Sequence, residues 1–287
     1  MNETKIRILG TVAPYPKNNM NCPGYLIKDD KYNILLDCGN GSSRLLNMKE
    51  DLNNLKIFIS HLHPDHIGDL ASLLQTINVY KKYGYVDGNI DLFIPESFET
   101  RKISYIDNDG WGASKSEKLH MHDYDYIEKY ANLAGVNIYK ISKDLTFDNI
   151  YIESISVPHP IESYAFKVKT NSGTIVYSGD TGTKNNLNKF AKECDLFICE
   201  STFLRGQYRA EDYHLYAHEA AKIATEANVE KLILTHFWPE IDKSEYVNEA
   251  KEIFENVEEA IEGKEYVLKK KIKKTSNWSF YFFNVLV

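Results

Sequence analysis

The sequence predicts two β-sheets that pack face to face and are covered on the outside by helices. Three observations carry this prediction. Strand patterns occur in two series along the chain, helical patterns lie between and after them, and no repeat or linker rich in proline, glycine and serine divides the 287 residues. Because 43% of the residues are hydrophobic, the chain can bury a large core, and we expect a single domain over residues 1–287.

The first strand series precedes residue 61. Short apolar runs bounded by glycine and aspartate turns predict strands at 5–9, 24–27, 33–37 and 56–60. A helix is expected at 67–83, because its apolar residues recur at the spacing of one helix face. A strand and a helix therefore enclose residues 61–66.

The second series follows residue 135 and alternates with helices in its later part. We predict strands at 136–141, 150–157, 164–169, 174–178, 195–199 and 231–235, and helices at 214–228 and 244–262. Residues 84–135 fit neither series, and we expect an insertion near the mouth of the site that acts as a lid. Residues 269–287 add a tail whose basic run is typical of a solvated segment before an edge strand.

Composition narrows the class of protein. The formal net charge of -7 provides no overall attraction for nucleic acid. The N-terminus has no export signal, and no apolar run approaches the roughly 20 residues of a spanning helix, so we expect no membrane partner and a cytoplasmic location. The four cysteines lack CxxC spacing and lie in strand-like contexts, which predicts buried free thiols rather than disulfides or a cysteine zinc site.

The hexapeptide His-Leu-His-Pro-Asp-His at 61–66 directly follows a predicted strand. Imidazole and carboxylate groups suit zinc and neighbouring first-row ions. His61 and His63 alternate and can face one side of an extended segment, whereas Asp65 and His66 follow the bend at Pro64 and can face a second ion. One hexapeptide can therefore serve two metals.

Three further candidate ligands follow later strands. His159 lies between two prolines that fix its turn, Asp180 lies in a Gly-Asp-Thr-Gly turn, and His236 ends an apolar strand. Alone, each could be an ordinary turn residue or a half-buried histidine. Beside the hexapeptide they complete a set of metal ligands.

Together these motifs resemble the five successive motifs of the metallo-beta-lactamase superfamily, over residues 5 to about 268. The resemblance implies an α+β four-layer αβ/βα sandwich with two packed mixed sheets and outer helices. It also implies a two-metal site at one edge. In that site His61, His63 and His159 would hold the first ion, Asp65, His66 and His236 the second, and Asp180 would bridge them. We expect zinc, with Mn²⁺ or Fe²⁺ as alternatives.

Within that superfamily the chain resembles the ribonuclease Z and phosphodiesterase branch. The likeness rests on Leu9-Gly10-Thr11, on Asp37-Cys38-Gly39, on Glu200 at the end of a strand and on His214 at the start of a helix. The branch implies that Glu200 steers His214 as a proton donor, with an exposed glutamate and a helix-cap histidine as the plain alternative. Tyr216 departs from the small hydroxyl residue usual there. We expect His218 to be a solvated helix residue, although it could substitute for His214.

A second departure concerns the tRNA-binding arm of ribonuclease Z. Only about twenty residues separate His159 from Asp180, which is room for two strands and a turn but not for the arm. The missing arm and the acidic charge argue against long structured RNA as the partner. His120 and His122 form an H-x-H pair without an evident partner, and we expect them on the surface of the insertion.

We therefore predict a metal-dependent hydrolase, a phosphodiesterase that attacks a small or short phosphodiester through a hydroxide shared by two ions. Asp65 would orient the nucleophile, and His214, steered by Glu200, would assist the leaving oxygen. A lactonase or thioesterase on the same site is the alternative. A tRNA 3′-end endonuclease and a metal-binding protein without activity are less favoured. The branch also implies a homodimer.

Overall fold

The computed structural model describes residues 3–95, 98–106, 112–120, 122–209 and 211–270. Two seven-stranded mixed sheets form the centre of the molecule. The first has the order β16-β1-β2-β3-β4-β5-β8. Its strands are β1 (Glu3–Gly10), β2 (Gly24–Lys28), β3 (Asn33–Leu36), β4 (Leu55–Phe58), β5 (Asp91–Ile94), β8 (Asn137–Lys140) and β16 (Glu265–Lys269). A separate hairpin pairs β6 (Phe98–Ile106) with β7 (Gly112–His120).

The second sheet has the order β15-β14-β13-β12-β11-β10-β9. Its strands are β9 (Asp144–Phe147), β10 (Ile150–Val157), β11 (Ser163–Lys169), β12 (Thr174–Tyr177), β13 (Leu196–Glu200), β14 (Leu232–Thr235) and β15 (Val257–Glu259). The helices are α1 (Met48–Asp51), α2 (Pro64–Ile67), α3 (Leu70–Lys82), α4 (His122–Leu133), α5 (Leu187–Phe190), α6 (Ala217–Ala227) and α7 (Lys243–Lys251), with a 3-10 turn at Ser42–Leu45.

The core between the sheets follows from the alternation of side chains along each strand. Tyr25 on β2 contacts Tyr177 on β12 with ring centroids 4.8 Å apart, and Phe58 on β4 meets Phe166 on β11 at 5.6 Å. Leu26, between two residues that face the second sheet, belongs instead to the cluster under α3 and α4. Helices α5, α6 and α7 cover the second sheet. This arrangement confirms the predicted four-layer sandwich.

Several predicted elements differ from the structure. The strand at 136–141 was expected in the second sheet, but β8 pairs in parallel with β5 at the edge of the first. The crossover through α4 explains this, since such a connection returns the chain parallel to the strand it left. The expected insertion at 84–135 thus includes β5, a strand of the first sheet.

The helix expected at 244–262 was wrong in its second half. Helix α7 starts after Asp242, whose side chain accepts a hydrogen bond from Ser244 N–H at 2.9 Å, and ends at Lys251. Residues Val257–Glu259 then form β15, which pairs in parallel with β14. Burial of Val257 against the second sheet outweighs the local helical pattern.

The parallel strands determine where the candidate functional site lies. Strands β3 and β4 are parallel neighbours in the first sheet, and β12, β13 and β14 in the second. Their carboxyl ends meet at one edge of the sandwich, where ligand sites of open sheets form. The four cysteines are buried and free, as expected. Among the described residues, no helix combines the length and the apolar character that crossing a membrane requires.

Candidate metal centre

The seven predicted metal ligands converge at this edge. Four come from the first sheet, in the segment that runs from the end of β4 into α2, and three follow β10, β12 and β14 of the second. Their ligand atoms form groups in which all atoms lie within 4.8 Å of one another. The groups are His61, His63, His159 and Asp180, then Asp65, His66 and His236, and finally Asp180, His214 and His236.

The first group brings three imidazole nitrogens together. The Nε2 atom of His61 lies 3.0 Å from Nδ1 of His63, which in turn lies 3.1 Å from Nε2 of His159. Three imidazoles that converge in this way present their lone pairs to a common point, as ligands of a zinc ion do.

The second group lies deeper. The Nε2 atoms of His66 and His236 lie 3.6 Å and 3.5 Å from Oδ2 of Asp65. Asp180 lies between the two groups, because its Oδ2 atom is 3.0 Å from His236 Nε2, 3.3 Å from His66 Nε2 and 3.5 Å from His61 Nε2. The carboxylate of Asp180 therefore occupies the position that a bridging ligand would need.

Unusual backbone conformations at Gly179 and His236 place the side chains of Asp180 and His236 in the candidate metal centre. Gly179 has a φ of 57°, and a Cβ atom there would come within 2.5 Å of the carbonyl oxygen of Tyr164, so only glycine fits this turn. His236 also has a positive φ, 61°, which is uncommon for a residue with a side chain. Such backbone strain concentrates at functional sites.

The remaining ring nitrogens are held by neighbouring groups. His66 Nδ1 lies 2.7 Å from Asp37, His236 Nδ1 lies 2.8 Å from the hydroxyl of Thr202, and His159 Nδ1 lies 3.2 Å from the carbonyl oxygen of Tyr213. An acceptor at Nδ1 favours the tautomer whose Nε2 lone pair is free for a metal. Asp37 and the Tyr213 carbonyl thus prepare two of these rings for coordination.

Three buried polar atoms have no hydrogen-bond partner in the described part of the chain. They are His66 Nε2, Asp180 Oδ1 and His236 Nε2. Leaving a buried polar atom without a partner costs about 1–3 kcal/mol, and all three atoms lie where the donor groups converge. A nitrogen and oxygen donor set with unsatisfied buried atoms fits divalent cations, so the residues present suit the metals that the fold implies.

Electrostatics divides the histidines into two classes. Burial lowers the pKa of His61 well below its usual value, lowers that of His63, and lowers that of His159 to about 4. These three rings are therefore neutral at neutral pH and can coordinate without losing a proton.

The second class of histidines, His66 and His236, lies beside carboxylates. Burial opposes the charged form of His236, but Asp180 and Asp65 outweigh it and raise the pKa of the ring to about 10. The pKa of His66 is raised well above its usual value for the same reason. Burial would raise the pKa of Asp180, but His236, His66 and His61 hold it well below the ordinary range. Metal ions binding here would displace protons from His66 and His236.

Glu200 and His214 meet beside the second group. Glu200 ends β13 and is fully buried, and its Oε1 atom lies 3.1 Å from His214 Nδ1. Backbone N–H groups of Thr181 and Leu215 donate to the same carboxylate at 2.9 Å and 3.2 Å. Burial would lower the pKa of His214, but the charge and hydrogen bond of Glu200 outweigh it and raise that pKa. Glu200 therefore favours the protonated form of the ring, whose Nε2 atom has no partner among the described residues.

The surroundings of His214 differ from the expectation in two respects. His214 does not open a helix, because α6 begins at Ala217. His218 is not a solvated residue: its Nδ1 atom lies 2.7 Å from Glu249 on α7, and this contact ties the two helices together. Tyr216, the unusual residue, donates its hydroxyl to the carbonyl oxygen of Gln207 at 2.8 Å and packs under Arg209.

Sequence reasoning missed the part that Asp37 plays. This buried carboxylate accepts hydrogen bonds from Ser60 N–H at 2.6 Å, from the Ser60 and Tyr177 hydroxyls at 2.7 Å each, and from His66. Its position directly after a buried strand was the available signal, but nothing local in the chain pairs residue 37 with residue 66.

Two predicted features lie outside the described part of the structure. They are the side chains of His120 and His122, and the tail beyond residue 270 that carries most of the basic run. Their expected surface roles stay predictions, as does the action of the 84–135 region as a lid.

Comparisons with known proteins identify a matching family, related sequences and a solved structure of the same fold. A family model described as "Anti-Pycsar protein Apyc1" matches residues 4–259. An uncharacterized protein of Mycobacterium leprae is 28% identical over 262 residues, which are 90% of this chain and 86% of that protein. Ribonuclease Z of Saccharolobus solfataricus is 30% identical over 274 residues, which cover 87% of this chain and 94% of the relative. The crystal structure of the metallo-beta-lactamase fold protein YhfI from Bacillus subtilis superimposes with a TM-score of 0.74 at 23% identity, covering 92% of this chain and 99% of that one.

Proposed function

We propose that this chain, which belongs to the family of anti-Pycsar protein Apyc1, hydrolyses a small or short phosphodiester with the help of two divalent cations. One observation carries the proposal. A histidine paired with a buried glutamate stands beside two groups of metal-ligating side chains, next to the carboxylate of Asp180. That combination serves an ester whose leaving oxygen needs a proton.

The wider resemblance predicted from the sequence is confirmed. The chain has the metallo-beta-lactamase fold and is related to ribonuclease Z, and a two-strand hairpin of β11 and β12 fills the interval where an arm would start. As a member of this superfamily the protein is a metal-dependent hydrolase. The substrate and the individual residue roles below are our proposal.

The ligand assignment follows the two groups at the sheet edge. His61, His63 and His159 would hold one ion, Asp65, His66 and His236 the other, and Asp180 would contact both. We propose zinc, because imidazole and carboxylate donors in this number suit it, with Mn²⁺ and Fe²⁺ as the ions to compare. When bound, such a pair of cations supplies Lewis-acid activation of water and neutralises charge on the phosphate.

The protein's own groups have separate tasks. His214 donates a proton from Nε2 to the leaving oxygen, since Nδ1 is occupied by Glu200. Glu200 keeps that imidazole charged and oriented, because two backbone N–H groups hold the carboxylate in place. Asp65, whose pKa is lowered by His66 and His236 against the effect of burial, stays ionised and orients the attacking water.

Two observations support a small substrate. The segment between His159 and Asp180 contains only β11, β12 and their turns, so no extended arm is present there to hold a folded RNA. The formal net charge of -7 also disfavours a large polyanion. We propose a compact phosphodiester, and a homodimer as the assembly, to be measured by light scattering.

The main competing function is cleavage of a carbon ester, such as a lactone or thioester, on the same ligand set. The Glu200 and His214 pair favours the phosphodiester over the thioester, because a thiolate leaving group has less need of a charged proton donor. A lactone releases an alkoxide, as the phosphodiester does, so only the assays distinguish these two. Bis(p-nitrophenyl) phosphate, a lactone panel and a thioester panel, each assayed with added Zn²⁺, Mn²⁺ or Fe²⁺, separate these functions directly.

Three variants test the assigned roles. Asp180→Asn and His63→Ala should abolish metal-dependent turnover and lower the metal content found by mass spectrometry. His214→Ala should retain the metals and lose about 100- to 10,000-fold in kcat on substrates with poor leaving groups. His218→Ala is the matched control, since its imidazole pairs with Glu249 outside the centre. Equal turnover by all four variants, or hydrolysis of carbon esters alone, would contradict the proposed function.

A further inference from the structure

The segment between β13 and α6, which carries His214, contains an ion pair that the proposed chemistry does not use. The guanidinium of Arg209 contacts Glu219 on α6 at two points, with Nη1 2.6 Å from Oε2 and Nη2 3.3 Å from Oε1. Nη1 also donates to the carbonyl oxygen of His214 at 2.9 Å. The two side chains of the pair are only 16% and 20% exposed. Because a two-point contact of this kind has a defined geometry, Arg209 is a fixed part of the segment and not a solvated surface residue.

The ion pair lies beside Tyr216, where the sequence departs from the small hydroxyl residue usual there. Such a hydroxyl before a helix accepts a hydrogen bond from the first turn, but the side chain of Tyr216 makes no cap hydrogen bond. Its hydroxyl donates to Gln207, and its ring lies 4.4 Å from the guanidinium carbon of Arg209. Glu219 instead accepts the Tyr216 N–H at 2.9 Å. Arg209 and Glu219 therefore stabilise a helix start that has no side-chain cap.

The peptide unit between His214 and Leu215 is held at both edges. Its oxygen accepts the hydrogen bond from Arg209, and its N–H donates to Glu200 at 3.2 Å. The same carboxylate lies 3.1 Å from Nδ1 of the His214 ring. Because a peptide unit is planar, hydrogen bonds on opposite edges fix its orientation, and with it the backbone that carries the imidazole. Without Arg209 only the contacts of Glu200 would orient the ring.

The rest of the segment has anchors of its own. The Phe203 N–H donates to the carbonyl oxygen of Leu215 at 3.1 Å. Asp212 accepts the N–H and the hydroxyl of Thr183 at 2.9 Å and 2.6 Å. None of these contacts involves the side chain of Arg209. We therefore expect its removal to leave the fold and the metal ligands in place and to loosen only the imidazole.

We propose that Arg209 is a positioning residue for His214, and that its guanidinium fixes the peptide unit after the histidine so that Nε2 stays directed at the leaving oxygen. The inference rests on the proposed phosphodiesterase function, because it requires His214 to be the proton donor. Arg209 then acts on the reaction without touching the substrate. A misplacement of about 1 Å can reduce a rate about 100-fold, so the contribution of Arg209 is large enough to measure.

The test compares two substrates, methyl p-nitrophenyl phosphate and methyl phenyl phosphate. p-Nitrophenolate leaves readily without a proton, whereas the more basic phenolate depends on the donor. Arg209→Ala should lower kcat for methyl phenyl phosphate about 10- to 100-fold, with KM nearly unchanged, and lower kcat for the p-nitrophenyl diester much less. Arg209→Lys keeps the positive charge but not the planar fork of donors. It should show the same selective loss, and its result decides if Arg209→Ala does not fold.

A double-mutant cycle separates positioning from general support of the fold. In the His214→Ala background, Arg209→Ala should cause no further loss of kcat for methyl phenyl phosphate, because the group that Arg209 positions is already gone. Arg205→Ala is the matched control. It removes an arginine of the same segment that is 55% exposed and pairs with Glu252 at 3.0 Å, and it should leave kcat for both diesters unchanged. Metal content, measured by mass spectrometry, should equal that of the natural protein in every variant.

The outcomes distinguish this inference from the proposed function. An unchanged kcat in Arg209→Ala, an equal loss with both diesters, a further loss in the His214→Ala background, or a loss of metal from the Arg209 variants would overturn the inference. In each case the phosphodiesterase proposal stands, because the natural protein still cleaves the diesters. If the natural protein cleaves no phosphodiester with Zn²⁺, Mn²⁺ or Fe²⁺, the proposed function fails, and the positioning role fails with it.

Discussion

Replacing Asp37 by asparagine should weaken metal binding although residue 37 touches no ion. The Oδ1 atom of Asp37 accepts the backbone N–H of Ser60 at 2.6 Å, and Oδ2 accepts from His66 Nδ1 at 2.7 Å. A backbone N–H cannot become an acceptor. The oxygen of an asparagine must therefore stay toward Ser60, and its NH₂ group must face His66.

That orientation acts on the tautomer of His66. An NH₂ group opposite Nδ1 favours the ring form with a lone pair on Nδ1 and a proton on Nε2. The Nε2 atom is the one that faces Asp65 and Asp180. This proton would occupy the position of the metal, so an ion could bind only by displacing it, which weakens metal affinity.

The expected size of the effect comes from groups that orient metal ligands in general. Loss of such a group weakens metal affinity or activity about 10- to 100-fold, which corresponds to about 1.4–2.7 kcal/mol. We expect the larger loss at the site that contains His66, because Asp37 contacts that ring directly. His61 is linked to Asp37 only through the Ser60 hydroxyl, which lies 3.0 Å from His61 Nδ1.

Competition with a chromophoric chelator measures both zinc affinities of Asp37→Asn. Tyr177→Phe is the control, because it removes one hydroxyl donor to the same carboxylate, 2.7 Å away, and leaves the charge and the His66 contact in place. Two affinities equal to those of the natural protein in Asp37→Asn, or an equal loss in Tyr177→Phe, would refute the reasoning.

Three further predictions concern stability. Phe58→Ala should lower the free energy of unfolding in urea by about 3–5 kcal/mol, because this buried ring stacks on Phe93 at 4.5 Å and meets Phe166 of the other sheet. Zinc at 100 times its dissociation constant should raise the free energy of unfolding by about 2.7 kcal/mol per site, and prior chelation should remove the gain. Burial opposes ionisation of Glu258, but Lys231 and Lys264 outweigh it and lower its pKa from 4.5 to about 2. The stability that Glu258 adds relative to Glu258→Gln should therefore be complete above about pH 4.5 and shrink as the pH falls toward 2, with urea titrations at several pH values as the measurement.

Local chemistry made much of the centre predictable. His61, His63, Asp65 and His66 lie within six residues, and ligands at that density are recognisable without a structure. The strands were predictable for a related reason, because their apolar runs are bounded by turn residues.

The sequence-based predictions fail where contacts between residues that are distant in the sequence determine the structure. Residues 257–259 have a helical pattern but form a strand, because β14 presents an edge that the local sequence does not reveal. Asp37 reaches His66 only because β3 and β4 are parallel neighbours. His218 looks like a surface residue until α7 brings Glu249 to it. In each case the partner is set by the packing of whole sheets and helices.

Both sheets contribute metal ligands, and this affects how the whole molecule unfolds. One part of the set follows β4 in the first sheet, and the other follows three strands of the second. A pair of bound cations would therefore be a reversible cross-link between two sheets that otherwise meet through apolar side chains and a few hydrogen bonds, such as the one from Tyr177 to Asp37. Neither sheet could separate from the other without breaking coordination, so filling the site would make the two sheets unfold as one cooperative unit.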